Sequence, residues 1–217
     1  LVTTPEVFTL AKKYDDSELG QEVVLVDQSI LPDEALLSMP GEHNRLNASL
    51  AYQALKAVSL DDESIFAGLA SFPGVPGRLE YLGVTPEGIG VYNDNNSTTP
   101  TATIKALEAL GDAENKRIIL IAGGAYKKVD PNPLVEAIPN YCKQVVLLPG
   151  TGTDVIADQL EAEVVVDMES AVEVALREAK PGDIILFSPG FASFGLFKNE
   201  YERNDQFVHL IRQHVDS

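Results

Sequence analysis

From Leu79 onward, short apolar runs alternate with longer stretches in which apolar residues recur every three or four positions. The runs are Tyr81-Leu82-Gly83-Val84, Ile89-Gly90-Val91-Tyr92, Arg117 to Ile121, Gln144 to Leu148, Glu163 to Val166 and Asp183 to Phe187. Each has the length of a strand, and the Arg117–Ile121 run is nearly continuous, as in a parallel strand covered on both faces. The stretches between them read as helices: Pro100 to Leu110, Pro131 or Asn132 to Ile138, Gly152 to Leu160, Met168 to Ala179, and Tyr201 or Arg203 to Val215. The first two runs flank a turn at Pro86-Glu87-Gly88. Alternation of this kind predicts an α/β fold, a Rossmann-like, mostly parallel sheet with helices on both faces.

The pattern before Leu79 is different. Leu1 to Tyr14 carries no obvious strand, Val23-Val24-Leu25-Val26 is a short strand, and another is expected near Leu36. Leu46 to Val58 reads as a helix with Asn44 as its N-cap, which leaves His43 in a glycine-flanked polar loop. Asp61 or Asp62 caps a further helix through Leu69. Pro73, Gly74, Pro76 and Gly77 then form the clearest linker signal, so a domain boundary is expected between residues 77 and 78.

Composition narrows the function classes. The 217 residues include 33 acidic and 16 basic ones, a net charge of −17, which disfavours nucleic acid and anionic membrane as partners. No apolar run reaches spanning length, and Leu1 to Glu6 lacks the form of a signal peptide; both fit a cytoplasmic protein. The single cysteine, Cys142, excludes an internal disulfide and a thiolate cluster, and its apolar neighbours suggest a core thiol. His209 and His214 fall on the last helix and read as surface residues. No metal-ligand spacing occurs, so no metal-binding residue is assigned.

Candidate chemistry gathers where strands end. Asn93 to Thr99 is an unbroken polar run after a strand, suited either to a ribose, phosphate or Mg²⁺ or to an ordinary strand-to-helix turn. Gly123-Gly124 with Lys127 follows a buried strand and offers close backbone approach and a cation. Ser188-Pro189-Gly190-Phe191-Ala192-Ser193 follows the last strand, and its backbone N–H groups with Ser193 suit a carboxylate. Arg78 stands just past the linker, in reach of a phosphate or as a plain anchor. The G-x-x-x-x-G-K-[ST] loop and the G-x-S-x-G elbow are both absent.

The ordered set Gly41-Glu42-His43-Asn44 with Asn47, Gly77-Arg78-Leu79-Glu80, Tyr92-Asn93-Asp94 through Thr98, Gly123-Gly124 with Lys127, and Ser188 to Ser193 with Phe197-Lys198-Asn199 resembles the Mur ligases over about Pro40 to Val215. Within them it is most similar to the branch that joins D-glutamate to UDP-N-acetylmuramoyl-L-alanine in peptidoglycan precursor synthesis. The resemblance implies a ligase using ATP and Mg²⁺ through an acyl phosphate, with a UDP-binding domain, a central P-loop domain and a Rossmann-like third domain. Residues 1–77 then correspond to the C-terminal part of the central ATPase-type domain and residues 78–217 to the third domain. The N-terminal domain, the P-loop and the family's carbamylated lysine are not in this sequence, which makes a fragment, inactive alone, the expectation. By the resemblance, Asn44, Asn47, Arg78 and Asp94 meet the nucleotide, His43 and Arg78 support catalysis, and Thr98, Lys127 and Ser193 hold the acceptor. Asn96, Gly195 and Glu200 depart from the family pattern of lysine, aspartate and phenylalanine. They leave open a sister ligase with another acceptor, or a noncatalytic Rossmann-like module.

Overall fold

The computed structural model describes residues 1–14, 22–32 and 37–215. These fall into two compact units, Leu1–Gly74 and Val75–Ser217.

In the first unit, β1 (Val2–Thr3) pairs in parallel with β2 (Val24–Leu25). The helix α1 (Pro5–Tyr14) lies between them in sequence and buries no side chain; it was not expected, although Pro5 and Glu6 at its start and Lys12 and Lys13 at its end are ordinary helix signals. The expected strand near Leu36 lies outside the described residues. Next come α2 (Glu42–Ala57) and α3 (Asp62–Ser71). Asp61 caps α3, accepting from the Ser64 N–H at 2.8 Å. The Asn44 cap expected for α2 is corrected. That helix begins at Glu42, behind Gly41 at φ 100°, and the Asn44 amide instead donates to the Pro40 carbonyl at 2.8 Å. His43 is therefore in the first helical turn and not in a loop. A positive φ costs glycine little, so the chain reverses at Gly41 without a side-chain cap.

In the second unit, six strands form one sheet: β3 (Glu80–Val84), β4 (Gly90–Asn93), β5 (Ile118–Gly123), β6 (Cys142–Leu148), β7 (Glu163–Val164) and β8 (Ile184–Phe187). The spatial order is β3-β4-β8-β5-β6-β7. Only the β3–β4 hairpin is antiparallel; every other pair is parallel. The helices α4 (Pro100–Leu110), α5 (Asn132–Tyr141), α6 (Thr153–Ile156), α7 (Met168–Glu178) and α8 (Glu200–Ile211) connect or follow the strands.

The two-residue period of the strands divides the core in two. Ile119, Ile121, Val146, Ile185 and Phe187 face α7 and α8, packing with Ala171, Ala175, Phe207 and Ile211. Ile118, Leu120, Ala122, Leu147 and Leu186 face the other way, packing with Leu107, Leu134 and Ile138 from α4 and α5. Every residue of β5 is buried, as its continuous apolar run requires. Cys142 is buried at the start of β6, and burial pushes its thiol up to about 12, well away from reactivity. His209 and His214 are exposed.

Candidate functional site

The parallel strands β4, β8 and β5 are neighbours and end side by side, so the segments after them form one edge, where open α/β sheets take ligands. These segments are 94–99, 188–199 and 124–131. They are joined by backbone hydrogen bonds that continue beyond the strands. The Asp94 N–H donates to the Phe187 carbonyl (2.7 Å), Gly190 to Ser97 (2.9 Å) and Gly123 to Pro189 (2.9 Å), while Ala125 and Ala192 exchange bonds of 2.8 and 3.1 Å. Glycines permit this closeness. A Cβ on Gly124, at φ 134°, would stand 2.3 Å from the Ala192 carbonyl oxygen, and one on Gly150 would stand 2.3 Å from the Gly124 oxygen.

Two of the three residues expected to hold an acceptor meet directly. Lys127 Nζ donates to Thr98 Oγ1 at 2.8 Å. With Pro100, Tyr126, Val129, Gly190 and Phe191 they line a crevice at this edge too tight to admit a water molecule. Lys127 is exposed and Thr98 half-buried. Ser193 is buried, one residue past the Ala125–Ala192 bridge, and its carbonyl accepts from the Phe197 N–H at 3.2 Å.

Asp94 lies below that surface, 5% exposed. Its Oδ1 accepts from the Leu79 N–H at 3.0 Å and its Oδ2 from the Ser188 hydroxyl at 2.8 Å, and Ser188 also bonds Thr103. Burial raises the Asp94 carboxyl above the ordinary aspartate range; hydrogen bonds from Ser97, Ser188 and Leu79 and the nearby Arg78 charge oppose the rise without cancelling it. Arg78 is exposed. In the first unit, His43, Asn44 and Asn47 share α2. Asn44 is buried, His43 half-buried and Asn47 exposed, with Asn44 and Asn47 one turn apart.

One residue of this edge had no sequence role. Arg203 on α8 is 0% exposed. Its Nε donates to Asn95 Oδ1 (2.8 Å), Nη2 to the Asn95 carbonyl (2.8 Å) and Nη1 to the Phe191 carbonyl (3.1 Å), so it ties the loop after β4 to the loop after β8. Burial lowers its guanidinium to about 10, with Glu200 opposing, so it stays charged at neutral pH. Arginine on a terminal helix reads as a surface residue. The signal that could have found it is spacing: Arg203, Phe207 and Ile211 repeat every four residues along one buried stripe.

The three departures from the family pattern also have places. Asn96 donates through Nδ2 to the Pro76 carbonyl at 3.1 Å and accepts from Asn95 Nδ2 at 3.2 Å. Glu200 opens α8, where a carboxylate suits the helix dipole, and its charge favours the Arg203 cation. Gly195 is exposed at φ 97°, and a Cβ there would meet nothing within 4 Å. Among the described residues no set of three or more His, Cys, Asp or Glu side chains gathers as a metal site. No chemical step is assigned to Mg²⁺.

By fold the second unit is a Rossmann-like α/β domain that presents a lysine–threonine pair at the carboxyl edge of its sheet. The family model described as "Mur ligase, glutamate ligase domain" matches residues 77–191, just over half of the chain, and the protein belongs to that family. It is 33% identical over 214 residues to the UDP-N-acetylmuramoylalanine--D-glutamate ligase of Hydrogenovibrio crunogenus, covering 97% of this chain and 46% of that one. It is 36% identical over 206 residues to the same-named ligase of Desulfitobacterium hafniense, covering 90% and 44%. The chain thus spans about half the length of the curated relatives it matches. Among solved structures, the fold is shared with a bifunctional folylpolyglutamate synthase/dihydrofolate synthase of Yersinia pestis complexed with AMPPNP and Mn ion (TM-score 0.67, 19% identity, 95% of this chain and 51% of that one). The UDP-N-acetylmuramate-alanine ligase of Thermotoga maritima shares it too (TM-score 0.63, 22% identity, 82% and 39%). Among the described residues, no helix is long and apolar enough to cross a membrane.

Proposed function

We propose that the chain supplies the acceptor-binding domain, and the C-terminal part of the ATP-binding domain, of a cytoplasmic ligase that joins D-glutamate to UDP-N-acetylmuramoyl-L-alanine. The observation that carries the reading is the Lys127–Thr98 pair at the carboxyl edge of a parallel sheet, within the family's glutamate ligase domain. An exposed ammonium beside a hydroxyl suits a carboxylate, and the backbone of residues 190–193 with Ser193 suits a second one. In this reading Arg78 meets a nucleotide phosphate, and Asn44, Asn47 and His43 serve the nucleotide end from α2. ATP would supply the phosphoryl group that turns the substrate carboxylate into an acyl phosphate. With the acceptor's carboxylates held by Lys127, Thr98 and Ser193, its free amine would attack the acyl carbon; the C–O bond to phosphate breaks, phosphate leaves, and the nitrogen gives up a proton to solvent as the amide forms. Glu200 does not count against an acidic acceptor, because its charge is set against Arg203 and the α8 dipole. Asp94, committed to Leu79 and Ser188, shapes the loop, and its part in meeting the nucleotide rests on the family resemblance alone.

The first unit fits a portion of a larger domain: α1 buries no side chain and leaves Val7, Leu10 and Tyr14 exposed. The test is calorimetric titration of the 217-residue chain with D-glutamate, L-glutamate and D-alanine. D-Glutamate heat is expected, reduced about tenfold in affinity or more by Lys127→Ala and by Thr98→Ala. Heat with a different amino acid, lost in the same variants, would move the reading to a sister ligase. Heat with none of them would overturn acceptor binding by this domain.

A further inference from the structure

The segment that carries Arg78 is wound more tightly than a linker needs. Gly77 has φ 71° and Leu79 has φ 47°, a left-handed conformation that a leucine adopts only where its surroundings enforce it. Three consecutive amides in this turn are satisfied internally. The Gly77 N–H donates to Glu80 Oε2 (2.8 Å), Arg78 to the Val75 carbonyl (3.0 Å) and Leu79 to Asp94 Oδ1 (3.0 Å). Two of these three acceptors are carboxylates, and both are held from behind. Asn93 Nδ2 donates to Glu80 Oε2 (3.1 Å) and also to Asn204 on α8 (2.9 Å), and the Ser188 hydroxyl donates to Asp94 Oδ2 (2.8 Å). The Leu79 side chain is buried in the core on the α4–α5 face. The Gly77 and Pro76 carbonyls are taken up by Asn96, through its N–H (2.9 Å) and its Nδ2 (3.1 Å).

What the turn leaves over is one group. With its amides spent it cannot bind an anion through backbone N–H donors. Among the described residues the Arg78 guanidinium has no hydrogen bond or ion pair, and its side chain is exposed. A long side chain normally loses rotamer freedom when it binds. A rigid turn cannot freeze that side chain, but it fixes where the chain starts and which way it leaves.

We propose that Glu80 and Asp94 are positioning residues: two carboxylates that lock the turn from either side of Arg78 and so preset it as an anion contact for a polyphosphate. The phosphate half rests on the ligase reading above; the brace does not. Asn96 completes the brace from the loop after β4, which accounts for an asparagine there.

The experiment uses the ¹⁵N-labelled 217-residue chain. Glu80→Ala is expected to speed hydrogen exchange at the Gly77 amide tenfold or more, with core amides of β5 unchanged. Glu80→Gln, which keeps a side-chain oxygen, is expected to retain most of the protection. The Arg78 Nε–Hε signal is then followed during titration with inorganic tripolyphosphate. It is expected to shift in the parent, to need at least fivefold more ligand in Glu80→Ala, and to recover in Glu80→Gln. Unchanged Gly77 exchange in Glu80→Ala would overturn the brace. Faster exchange with unaltered tripolyphosphate affinity would overturn the positioning role. A parent Arg78 signal that ignores tripolyphosphate would overturn the phosphate contact itself, and the exchange result would still decide the brace.

Discussion

Asp94 shows at the residue scale what burial does to a group that reads as a ligand. A polar run after a strand marks residues 93–99 as the place to look, and that much is legible from side-chain character alone. Its depth is not, because accessibility depends on Leu79 and Ser188, which are 15 and 94 positions away. The raised Asp94 carboxyl gives a pH prediction whose sign follows from linkage. A folded-state value above the unfolded one means that the folded chain favours the protonated form. The contribution is therefore full below the unfolded value, near 3.8, and is lost as pH rises through the folded one. Asp94→Asn removes the titration and keeps an oxygen for the Leu79 N–H. Its new N–H₂ faces the Ser188 hydroxyl, which can turn to accept while still donating to Thr103. The melting temperature of the variant minus that of the parent is expected to rise between pH 4 and pH 7, as scanning calorimetry over that range would show. A flat or falling difference would mean that the buried carboxylate is better solvated than its surroundings indicate. Arg203 is the converse case. Its apolar-stripe spacing was available in the sequence, but nothing in the chain announces that Asn95 and Phe191 supply the carbonyl and amide oxygens that let a guanidinium be buried.

At the scale of elements, the strand-helix alternation after Leu79 was readable because two-sided burial leaves continuous apolar runs, and because the longer helices α4, α5, α7 and α8 carry a one-sided stripe. Elements of the first unit were harder to read. The helix α1 has exposed apolar positions and no buried face, and α2 starts behind a glycine reversal, where a search for a side-chain cap settles on Asn44, three residues past the Gly41 cap position. The glycines after β5 were legible as close-approach signals, but not the partners they approach. Those partners give a prediction. Gly124→Ala places a methyl 2.3 Å from the Ala192 carbonyl oxygen, at a φ of 134° that L-residues rarely adopt. The neighbour is backbone, which cannot rotate away as a side chain can, so the loop after β8 must shift. Strain and overpacking together predict a loss of roughly 2 kcal/mol or more in unfolding free energy, measured by urea denaturation. The displacement falls one residue before Ser193, so D-glutamate affinity is expected to fall as well. Gly182→Ala is the control, because its added Cβ meets nothing within 4 Å although its φ is also positive, at 88°. It should cost only the backbone strain and leave affinity alone.

For the molecule as a whole, the question is which part of the chain holds itself together. Both hydrophobic clusters draw all their members from Leu79 onward. Among the described residues of the first unit the buried apolar side chains are Val26, Leu31, Ala48 and Ile65, while Leu1, Val7, Leu10, Tyr14, Leu25, Val58, Leu60 and Phe72 are exposed. Folding must offset about 1–2 kcal/mol of backbone entropy per residue, and burial at about 25 cal/mol per Å² is the main term that can do so. The second unit has a six-stranded sheet covered on both faces and has the size of an ordinary domain. The first has a two-residue strand pair and helices with few buried positions. A polypeptide of residues 75–217 is therefore expected to unfold in urea as a single cooperative transition, and to keep the ¹⁵N–¹H signals of Thr98 and Lys127 where the 217-residue chain has them. A polypeptide of residues 1–74 is expected to lose its circular-dichroism signal gradually, with no sigmoidal transition. Cooperative unfolding of the short piece would show that α1, α2 and α3 form a core of their own, and would remove the support that their exposed apolar residues give to its being a portion of a larger domain. Failure of residues 75–217 to fold would mean that the sheet needs the first unit despite two complete core layers, and acceptor binding would then have to be measured only on chains that contain both.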